Sequence, residues 1–370
     1  MTSSQSSRLR SLDVLRGLTI CFMIIVNNPG SWSHVYPPLL HAEWNGYTPT
    51  DLVFPFFLFI VGAAIGLGSS KLKAMGSKEA WKKIVKRTAI IFGLGLFLNL
   101  FPSFDFENVR ILGVLQRIAL AYFVAALLVY YLSPRNVVLA ALGILLSYWG
   151  ILYLVPADQA LTLEGNLVRI LDLELLGEQH LYGGYGLPFD PEGLLSTWTS
   201  IASVLIGFVV TLGLKRRDLI IKKLKLLLVL GIGFMVLGMI WNMVFPINKP
   251  IWSSSYVLVT SAWACFIWAL LIFLIDMKGW ESWSKPFMHF GKNPLFIYVL
   301  SAFYVICISG ILKVSNTAGN ELSIYAYMYQ DWYRPVLGDL NGSLAFALSQ
   351  ALLFWIVAFL LDRKNIVIKV

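Results

Sequence analysis

Long apolar runs alternate with short polar connections along most of the chain. A helix that spans a bilayer needs about 20 mostly apolar residues. Ten runs approach that length, which predicts ten membrane-spanning helices. They lie at 12–29, 51–70, 88–101, 111–132, 137–154, 194–213, 225–245, 256–275, 287–309 and 343–361. We expect an all-α bundle that forms one transmembrane domain over residues 1–370, with outer loops at about 30–50, 155–193 and 310–342.

The composition agrees with a membrane protein. Hydrophobic residues make up 58% of the 370 and charged residues 13%, whereas soluble domains contain about 45–50% and about 25%. A soluble protein of this composition lacks the polar groups to cover its surface. Disordered proteins, secreted disulfide scaffolds and cytosolic enzymes are therefore excluded. Cys21, Cys265 and Cys307 lie in apolar runs and have neither disulfide nor metal-site spacing.

The net charge of +9 follows the predicted topology. Of the 29 Lys and Arg residues, three lie inside predicted spans and five in outer connections, which leaves 21 for the inner connections and the two ends. The outer five are Arg110, Arg169, Lys249, Lys313 and Arg334. Because cations accumulate in cytoplasmic loops, both termini are predicted to be cytoplasmic. The positive charge then marks orientation rather than nucleic-acid binding.

Two arginines inside predicted spans are candidate binding residues, because charge within a bilayer is costly. Arg16 follows Asp13 by three positions, so an ion pair on one helix face is the alternative to a ligand site. Arg117 stands next to Gln116 and has no acidic residue within one helical turn. It needs a partner on another helix or a bound anion.

A third intramembrane cation, Lys292, precedes Asn293 and Pro294 in the ninth span. Pro294 is predicted to break the helix and free backbone groups, a common construction of membrane ligand sites. The competing interpretation is that Lys292 extends to the inner interface. Three cations suit a phosphate-bearing ligand. No phosphate-binding glycine motif is present, so nucleotide hydrolysis has no support.

The first outer loop holds His34 and His41, two of the four histidines, close to Glu43. Histidine is the commonest general base at neutral pH. A metal site is one alternative, although neither an H-E-x-x-H nor a Cys/His pattern is present. A second alternative is a loop histidine that forms only local hydrogen bonds.

Two acidic segments have the pattern that is typical of a helix start. Thr48, Pro49 and Asp51 combine an N-cap, a proline at the first helical position and an acid three residues later, which is a capping signature. Asp190 and Glu192 precede the sixth span in the same way. Capping explains these carboxylates without any catalysis.

Several motifs together resemble the heparan-α-glucosaminide N-acetyltransferase family. They occur in the family's order over nearly the whole chain. They are Ser11-Leu-Asp-Val-Leu-Arg16-Gly17, Ile25-Val-Asn27, His41-Ala-Glu-Trp44-Asn45-Gly46, Asp51-Leu-Val-Phe-Pro55-Phe-Phe-Leu-Phe-Ile-Val-Gly62, Gly113-Val-Leu-Gln116-Arg117, Phe189-Asp-Pro-Glu-Gly193-Leu-Leu-Ser-Thr, Asn248-Lys-Pro-Ile-Trp252-Ser and Gly291-Lys-Asn293. The resemblance covers the family's membrane domain, and we expect the chain to lack the lumenal domain that precedes it in the animal enzyme.

The resemblance implies transfer of an acetyl group from cytoplasmic acetyl-CoA to the amine of a terminal glucosamine on the far side of the membrane. It implies that His41 is the catalytic histidine and Asn27 an essential asparagine, and it leaves His34 outside the shared pattern. Asp51 or Glu43 then orients the imidazole. We assign the coenzyme A phosphates to Arg16, Gln116, Arg117, Lys292 and Asn293. We assign the acceptor to Glu43, Trp44, Asn45, Asp190, Glu192 and Trp252.

Other interpretations stay open at this point. His41 acts either as a general base or as a nucleophile that carries the acetyl group. An O-acetyltransferase of another cell-surface glycan is the alternative function, and a secondary transporter is a weaker one because no inverted repeat is visible. The resemblance also implies a homodimer, and the missing ligand motifs lead us to expect no metal. If the source is bacterial, we expect the protein in the inner membrane.

The topology yields a first prediction. In intact cells, a cysteine in place of Lys78 in a cysteine-free background should not react with an impermeant thiol reagent, because the basic segment around it is predicted to face the cytoplasm. A cysteine in place of Glu164, in the loop at 155–193, should react and serves as the control. Labelling at position 78 without permeabilisation would overturn the orientation.

Overall fold

The computed structural model describes residues 9–315 and 321–368, and most of these residues are helical. The described α-helices are α1 (Arg10–Asn27), α2 (Val53–Lys73), α3 (Ser77–Leu100), α4 (Val114–Tyr131), α5 (Pro134–Leu152), α6 (Leu167–Leu176), α7 (Leu194–Lys215), α8 (Ile220–Asn242), α9 (Ser254–Leu271), α10 (Lys285–Lys292), α11 (Pro294–Ile306), α12 (Ile324–Tyr327) and α13 (Arg334–Arg363). One small antiparallel pair, β1 (Lys313–Ser315) and β2 (Glu321–Ser323), is the sheet found in these ranges. Arg8 and Lys369, two of the cations counted on the inner side, lie outside the described residues.

Eight helical segments of the described chain are long and apolar enough to cross a membrane. They are Pro49–Lys73, Val114–Tyr131, Pro134–Leu152, Leu194–Lys215, Ile220–Asn242, Ser254–Met277, Pro294–Ile311 and Ile324–Arg363. This confirms the prediction of an all-α, multi-pass membrane protein. The first and third predicted spans are also helical, as α1 and α3, but fall short of this criterion because of their charges. Arg10, Asp13 and Arg16 lie on α1, and α3 begins inside the basic segment.

Two predicted boundaries differ from the structure. The ninth span is interrupted at Asn293, as Pro294 predicts, so it forms α10 and α11 as separate helices. The outer loop predicted at 310–342 is wrong in its second half, which is helical from Ile324. Gly338, with φ of 74°, kinks α13 within that stretch, and its polar neighbours hid the helical pattern from a search for apolar runs.

The described chain forms two compact units. Unit one comprises the described residues within 1–37, 217–229 and 264–369, and unit two comprises Pro38–Arg216 and Leu230–Trp263. In unit one, α1 packs against α10 and α13. The single acyltransferase domain expected from the sequence stays a prediction.

Unit two is built around the close pair α2 and α7. A Cβ atom at Gly62 would lie 1.8 Å from the carbonyl oxygen of Val204, and one at Gly207 would lie 2.0 Å from that of Phe59. Only glycine therefore permits this backbone approach, a common device where membrane helices cross. The contact holds the start of α2 beside the start of α7, where the polar residues of the candidate site lie.

A second part of unit two packs the outer segments together. Its buried core contains Tyr148, Leu152, Val168, Phe189, Phe245 and Ile251. Trp44 and Tyr185 pack against this core from the first outer loop and from the segment after α6. Loops that are separate in sequence are thus held together because they pack against the same apolar core.

The helix crossing gives a stability prediction. Gly207→Ala should lower the melting temperature in detergent by several degrees, because overpacking a close contact typically costs about 1–3 kcal/mol. Gly143→Ala is the matched control, since nothing lies within 4 Å of a Cβ at that helical position. Alanine is the better helix former, so the control should be neutral or slightly stabilising. Equal melting temperatures for the two variants would contradict the packing argument.

Candidate functional site

His41 lies in unit two, in the loop between α1 and α2. Its side chain is 47% exposed. Nδ1 of the ring is 2.6 Å from Oδ1 of Asp51, ten residues further along the chain. This distance is that of a short hydrogen bond to a charged group. The structure therefore gives His41 a carboxylate partner on one ring nitrogen.

Asp51 is almost fully buried, at 1% exposure, in the turn that begins α2. Its Oδ2 accepts hydrogen bonds from the backbone N–H groups of Ala42 and Thr48, both at 3.0 Å. Thr48 and Asp51 form the capping box that the sequence predicts. The capping role and the contact with His41 are compatible, because they use different oxygens of one carboxylate.

Lys249 completes this cluster from the segment between α8 and α9. Its Nζ lies 3.2 Å from Oδ1 of Asp51 and 2.9 Å and 3.4 Å from the two ring nitrogens of His41. Burial lowers the pKa of Lys249, and the charge of Asp51 opposes that effect. One carboxylate oxygen thus faces two nitrogen-bearing side chains.

The geometry favours one protonation pattern. Nδ1 of His41 is closest to a carboxylate oxygen, which accepts and does not donate, so the hydrogen is assigned to Nδ1. A neutral ring with hydrogen on Nδ1 leaves the lone pair on Nε2. This pattern also avoids two adjacent cations beside a single carboxylate. Chemically, Nε2 of this half-exposed side chain is then equipped to take a proton.

Asp190 and Glu192 do not cap the sixth predicted span, so that interpretation is wrong. The N-cap of α7 is Gly193, with no side-chain cap. Both carboxylates instead bind Arg110: Nη2 lies 2.7 Å from Oδ1 of Asp190 and 2.6 Å from Oε2 of Glu192. Burial lowers the pKa of Arg110, but the hydrogen bonds and attraction from the two acids outweigh it and raise that pKa above its ordinary value.

Asp172, on α6, accepts a hydrogen bond from a backbone N–H group in the first turn of α7, which Asp190 and Glu192 do not. Its Oδ1 accepts the backbone N–H of Leu194 at 3.0 Å, while its Oδ2 is buried without a hydrogen-bond partner among the described residues. Burial raises the pKa of Asp172 to about 7, and the charge of Asp190 adds to that rise. This carboxyl therefore ionises at a higher pH than an ordinary aspartate.

Arg117 is buried at 1% exposure on α4. Its guanidinium donates to hydroxyl groups of α7, to Thr197 Oγ1 at 3.3 Å and to Ser196 Oγ. Cζ lies 4.8 Å from the ring centre of Trp252, within cation–π range. Nη1 has no hydrogen-bond partner among the described residues. The partners on another helix that the sequence requires are therefore present, and one donor is left over.

Gln116 and Trp252 have structural partners. Gln116 donates to the carbonyl oxygen of Ile111 at 3.1 Å. Trp252, with φ of 52°, is buried, and its Nε1 lies 3.3 Å from Ser203 Oγ. Neither contact assigns a ligand, so their proposed binding roles stay predictions.

The remaining loop residues differ in exposure. Trp44 is half-buried, and its Nε1 donates to the carbonyl oxygen of Leu161 at 2.8 Å. Asn45 is exposed and pairs with Asn248, whose Nδ2 lies 3.2 Å from its Oδ1. Glu43 is exposed. Of the two carboxylates considered as partners of His41, Asp51 is therefore the one in hydrogen-bond contact.

In unit one, the structure places Arg16 beside the broken ninth span. Nη1 of Arg16 is 3.2 Å from Oδ1 of Asp13 and 3.2 Å from the carbonyl oxygen of Gly291. The pair with Asp13 that the sequence offers as an alternative is therefore formed. Asn27, the last residue of α1, is exposed.

Lys292 and Asn293 also have protein partners in unit one. Lys292 forms an ion pair with Asp362 near the end of α13. The side chain of Asn293 donates to the carbonyl oxygen of Ile366 at 2.9 Å and accepts from the backbone N–H of Ile368 at 2.8 Å. These contacts join the helix break to the C-terminal segment.

Sequence reasoning missed Lys249, Arg110 and Asp172 as parts of this network. Arg110 entered the sequence interpretation only as a topology charge, and Lys249 only as a topology charge and as an unassigned member of the motif Asn248-Lys-Pro-Ile-Trp252-Ser, although both stand among the few cations of the predicted outer segments. Their rarity in outer segments was a usable signal. Asp172 lies among several acids of the same loop, and only burial distinguishes it. Within the described residues, no group of three His, Cys, Asp or Glu side chains is arranged to hold a metal ion.

Fold and site together define a multi-pass helical membrane protein with a histidine that contacts a buried carboxylate in the loop between α1 and α2. Residues 8–164 match the family model described as heparan-alpha-glucosaminide N-acetyltransferase, catalytic. The human heparan-alpha-glucosaminide N-acetyltransferase is 30% identical, and the mouse protein of the same name 31%; each alignment covers 80% of this chain. The chain is therefore related to that family, which confirms the resemblance of its motifs.

The match covers only part of each relative. Each alignment covers 53% of the relative, so the chain spans about half the length of the curated proteins it matches. The matched family model includes His41, Asp51 and Arg117, whereas Lys249 lies beyond its last residue.

Asp172 gives a prediction with a defined pH dependence. In the unfolded chain an aspartate ionises near pH 4. The stability that comes from keeping Asp172 protonated is thus fully present below about pH 4 and is lost as pH rises through about 7. Asp172→Asn, which cannot ionise, should raise the melting temperature by several degrees at pH 8 and by much less at pH 5.

The control is Asp105→Asn, at an exposed carboxylate whose contacts are with its own turn. This variant should show no gain that grows with pH. A melting-temperature difference for Asp172→Asn that stays constant from pH 5 to 8 would show that the carboxyl does not titrate in this range.

Proposed function

We propose that the protein is a transmembrane acetyltransferase that moves the acetyl group of acetyl-CoA to the amine of a terminal glucosamine-type sugar. The observation that carries this proposal is the hydrogen bond between His41 and buried Asp51, which lies in the region that matches the catalytic family model. The named relatives act on a heparan alpha-glucosaminide. A general base is the group that acyl transfer to an amine requires.

The reaction follows from these groups. The amine nitrogen attacks the thioester carbonyl carbon, a carbon–nitrogen bond forms, and the carbon–sulfur bond breaks with its electron pair on sulfur. Nε2 of His41 takes the proton that the attacking nitrogen loses and passes it to the departing thiolate. Asp51 stabilises the imidazolium between these steps through the hydrogen bond at Nδ1.

A two-step route uses the same residues. Nε2 of His41 then attacks the thioester carbon itself, and the acetyl-imidazole passes its acyl group to the amine. Asn27 is proposed to donate an amide hydrogen to the developing oxyanion or to orient the ring. Quenched-flow labelling with radioactive acetyl-CoA in the absence of acceptor distinguishes the routes, because only the second leaves label on the protein.

The donor side is proposed to use the buried cations. Coenzyme A carries several phosphate charges, which suit Arg16, Arg117 and Lys292. The leftover donor of Arg117 supports a role for that side chain, while Asp13 and Asp362 already partner the other two cations. Gln116 and Asn293 are proposed to assist them. Acetyl-CoA is proposed to arrive from the cytoplasm.

The acceptor side is proposed to lie at the outer segments. Asn45, Trp44 and Glu43 flank His41 in sequence, and an aromatic face with polar neighbours suits a sugar ring. Asp190 and Glu192, which bind Arg110, and Trp252 complete the proposed set. A homodimer, with both termini of each copy cytoplasmic, is part of the same proposal.

Thioester cleavage by the purified protein tests the proposed class. Incubation with labelled acetyl-CoA and a panel of amino sugars should yield N-acetylated sugar and free coenzyme A. Transfer only to sugar hydroxyl groups would favour the O-acetyltransferase alternative. Cleavage that no sugar accelerates, together with sugar uptake into proteoliposomes, would favour the transporter.

His41 provides the sharpest prediction. His41→Ala should lower acetyl transfer by about 100-fold or more, the usual scale of general acid–base catalysis, without changing donor affinity. The fold should persist, because an outer-loop ring contributes little core packing. The measurement is the initial rate of transfer at saturating donor, beside donor binding by calorimetry.

His34→Ala is the matched control. His34 is also an outer-loop histidine with an acidic neighbour, since its Nε2 lies 3.9 Å from Oδ2 of Asp339. This substitution should cost far less activity. If both variants lose activity equally, or if His41→Ala keeps near-normal turnover, the assignment of His41 as the base is wrong.

A further inference from the structure

Lys249 is the one charged side chain of the His41 cluster to which the proposed reaction gives no task. Its Nζ lies within 3.4 Å of both ring nitrogens and of Oδ1 of Asp51. The side chain is mostly buried, at 18% exposure. A buried ammonium group is retained only where its charge is compensated.

The position of Lys249 is set by a tight turn. Asn248 accepts the backbone N–H of Ile251 with its side-chain oxygen at 2.9 Å, and its carbonyl oxygen accepts the N–H of Ser253 at 3.0 Å. The N–H of Gly46 donates to the carbonyl oxygen of Ile247 at 2.7 Å. The turn is therefore hydrogen-bonded both to itself and to the loop that carries His41, which holds the ammonium beside the imidazole.

The charges around the ring determine what this ammonium does. Asp51, beside Nδ1, favours the protonated imidazolium, and Lys249 disfavours it. Glu192 and Arg117 act on Lys249 with opposite signs, and Arg117 is buried. Tyr185 is in electrostatic contact with Asp51, and burial raises its pKa, so it is neutral in the working range. Tyr256 donates its hydroxyl hydrogen to the carbonyl oxygen of Asp51 at 2.5 Å.

Without Lys249, the buried carboxylate would have one cationic partner available, the imidazolium. The charge of Asp51 would then favour the protonated ring unopposed, and a protonated ring cannot act as a base. With Lys249 present, Asp51 is already compensated, and a second positive charge within 3.4 Å is repelled. Two opposing charges on one ring thus allow orientation by Asp51 without the protonation that a lone carboxylate brings.

We propose that Lys249 is a positioning residue that keeps His41 unprotonated while Asp51 orients it. The proposal rests on the proposed function of His41 as a base. It extends that function to a residue outside the matched family model. If so, Lys249 affects how the rate of acetyl transfer depends on pH. It does not affect the rate at high pH, where the His41 ring is neutral in any case.

The first test is the pH profile of kcat/KM for Lys249→Met, which keeps most of the side-chain length without the charge. The acidic limb should move to higher pH by about one unit, because a unit charge at about 4 Å contributes roughly that much even in water-like surroundings. Transfer should fall by about tenfold at pH 6 and approach the wild-type rate at pH 8.5. Lys249→Arg, which keeps the charge, should retain the wild-type limb.

Lys215→Gln is the control for loss of a lysine charge in the same unit. Its Nζ lies 3.3 Å from the carbonyl oxygen of Gly66, about 20 Å along α2 from Asp51. This variant should keep the wild-type acidic limb. A profile of Lys249→Met that overlays the wild type, or a loss of rate equal at all pH values, would overturn the proposal.

The second test does not require turnover. In a background without His34, His180 and His289, the rate of modification by diethyl pyrocarbonate reports the fraction of unprotonated His41. The midpoint of this reaction should rise by about one pH unit on Lys249→Met and return on Lys249→Arg. An unchanged midpoint would refute the role of Lys249. If His41→Ala retains full transfer activity while this midpoint still moves, the proposed function fails and the electrostatic role stands.

A folding defect is recognised separately. Lys249→Met should elute as the wild type does in size-exclusion chromatography. If it aggregates, Lys249→Gln, which keeps a polar tip, takes its place. The acidic limb of kcat/KM and the midpoint of diethyl pyrocarbonate modification are then measured on that variant. An Asp51→Asn variant should behave oppositely to Lys249→Met, with its diethyl pyrocarbonate midpoint at lower pH than the wild type.

Discussion

The buried carboxylate of Asp51 is the constraint on which the candidate site depends. Removing an ionised carboxylate from water costs several kcal/mol unless charges and hydrogen bonds compensate it. Two backbone N–H groups, a histidine and a lysine provide this compensation. They come from the first outer loop and from the segment before α9, so compensating one buried charge holds together the chain segments that form the site.

The other buried charges of unit two are compensated in two different ways. Arg110 is paired with two carboxylates, and the cluster also carries a contact with the ring of Tyr182 at 4.7 Å. Among the described residues, no carboxylate lies within ion-pair distance of Arg117, which depends on hydroxyl groups, a carbonyl and aromatic faces. A paired cation is neutralised locally. A cation whose partners are neutral dipoles keeps most of its electrostatic field. This property is expected of an anion-binding residue.

The helix packing connects these charges to the membrane-spanning frame. The close approach of α2 and α7 depends on Gly62 and Gly207 and brings together two helix starts. Asp51 lies at the first and the partners of Arg117 lie at the second. A small change at the crossing therefore reaches polar groups whose distances must hold to within a few tenths of an ångström. Rigid helices under mobile loops are a common way to position reactive groups.

The sequence by itself determined the class of the protein, most of its spanning helices and the capping box of Asp51. Hydropathy, proline breaks and N-cap signatures are local, and each is expressed within a few residues. The motifs also indicated the family and made His41 a candidate residue. What only the tertiary structure decided is which groups meet: that Asp51 rather than Glu43 holds His41, that Asp190 and Glu192 bind Arg110, and that Lys249 joins the cluster from about 200 residues away. Charge compensation in a buried site depends on distances between segments remote in sequence, and no local pattern encodes them.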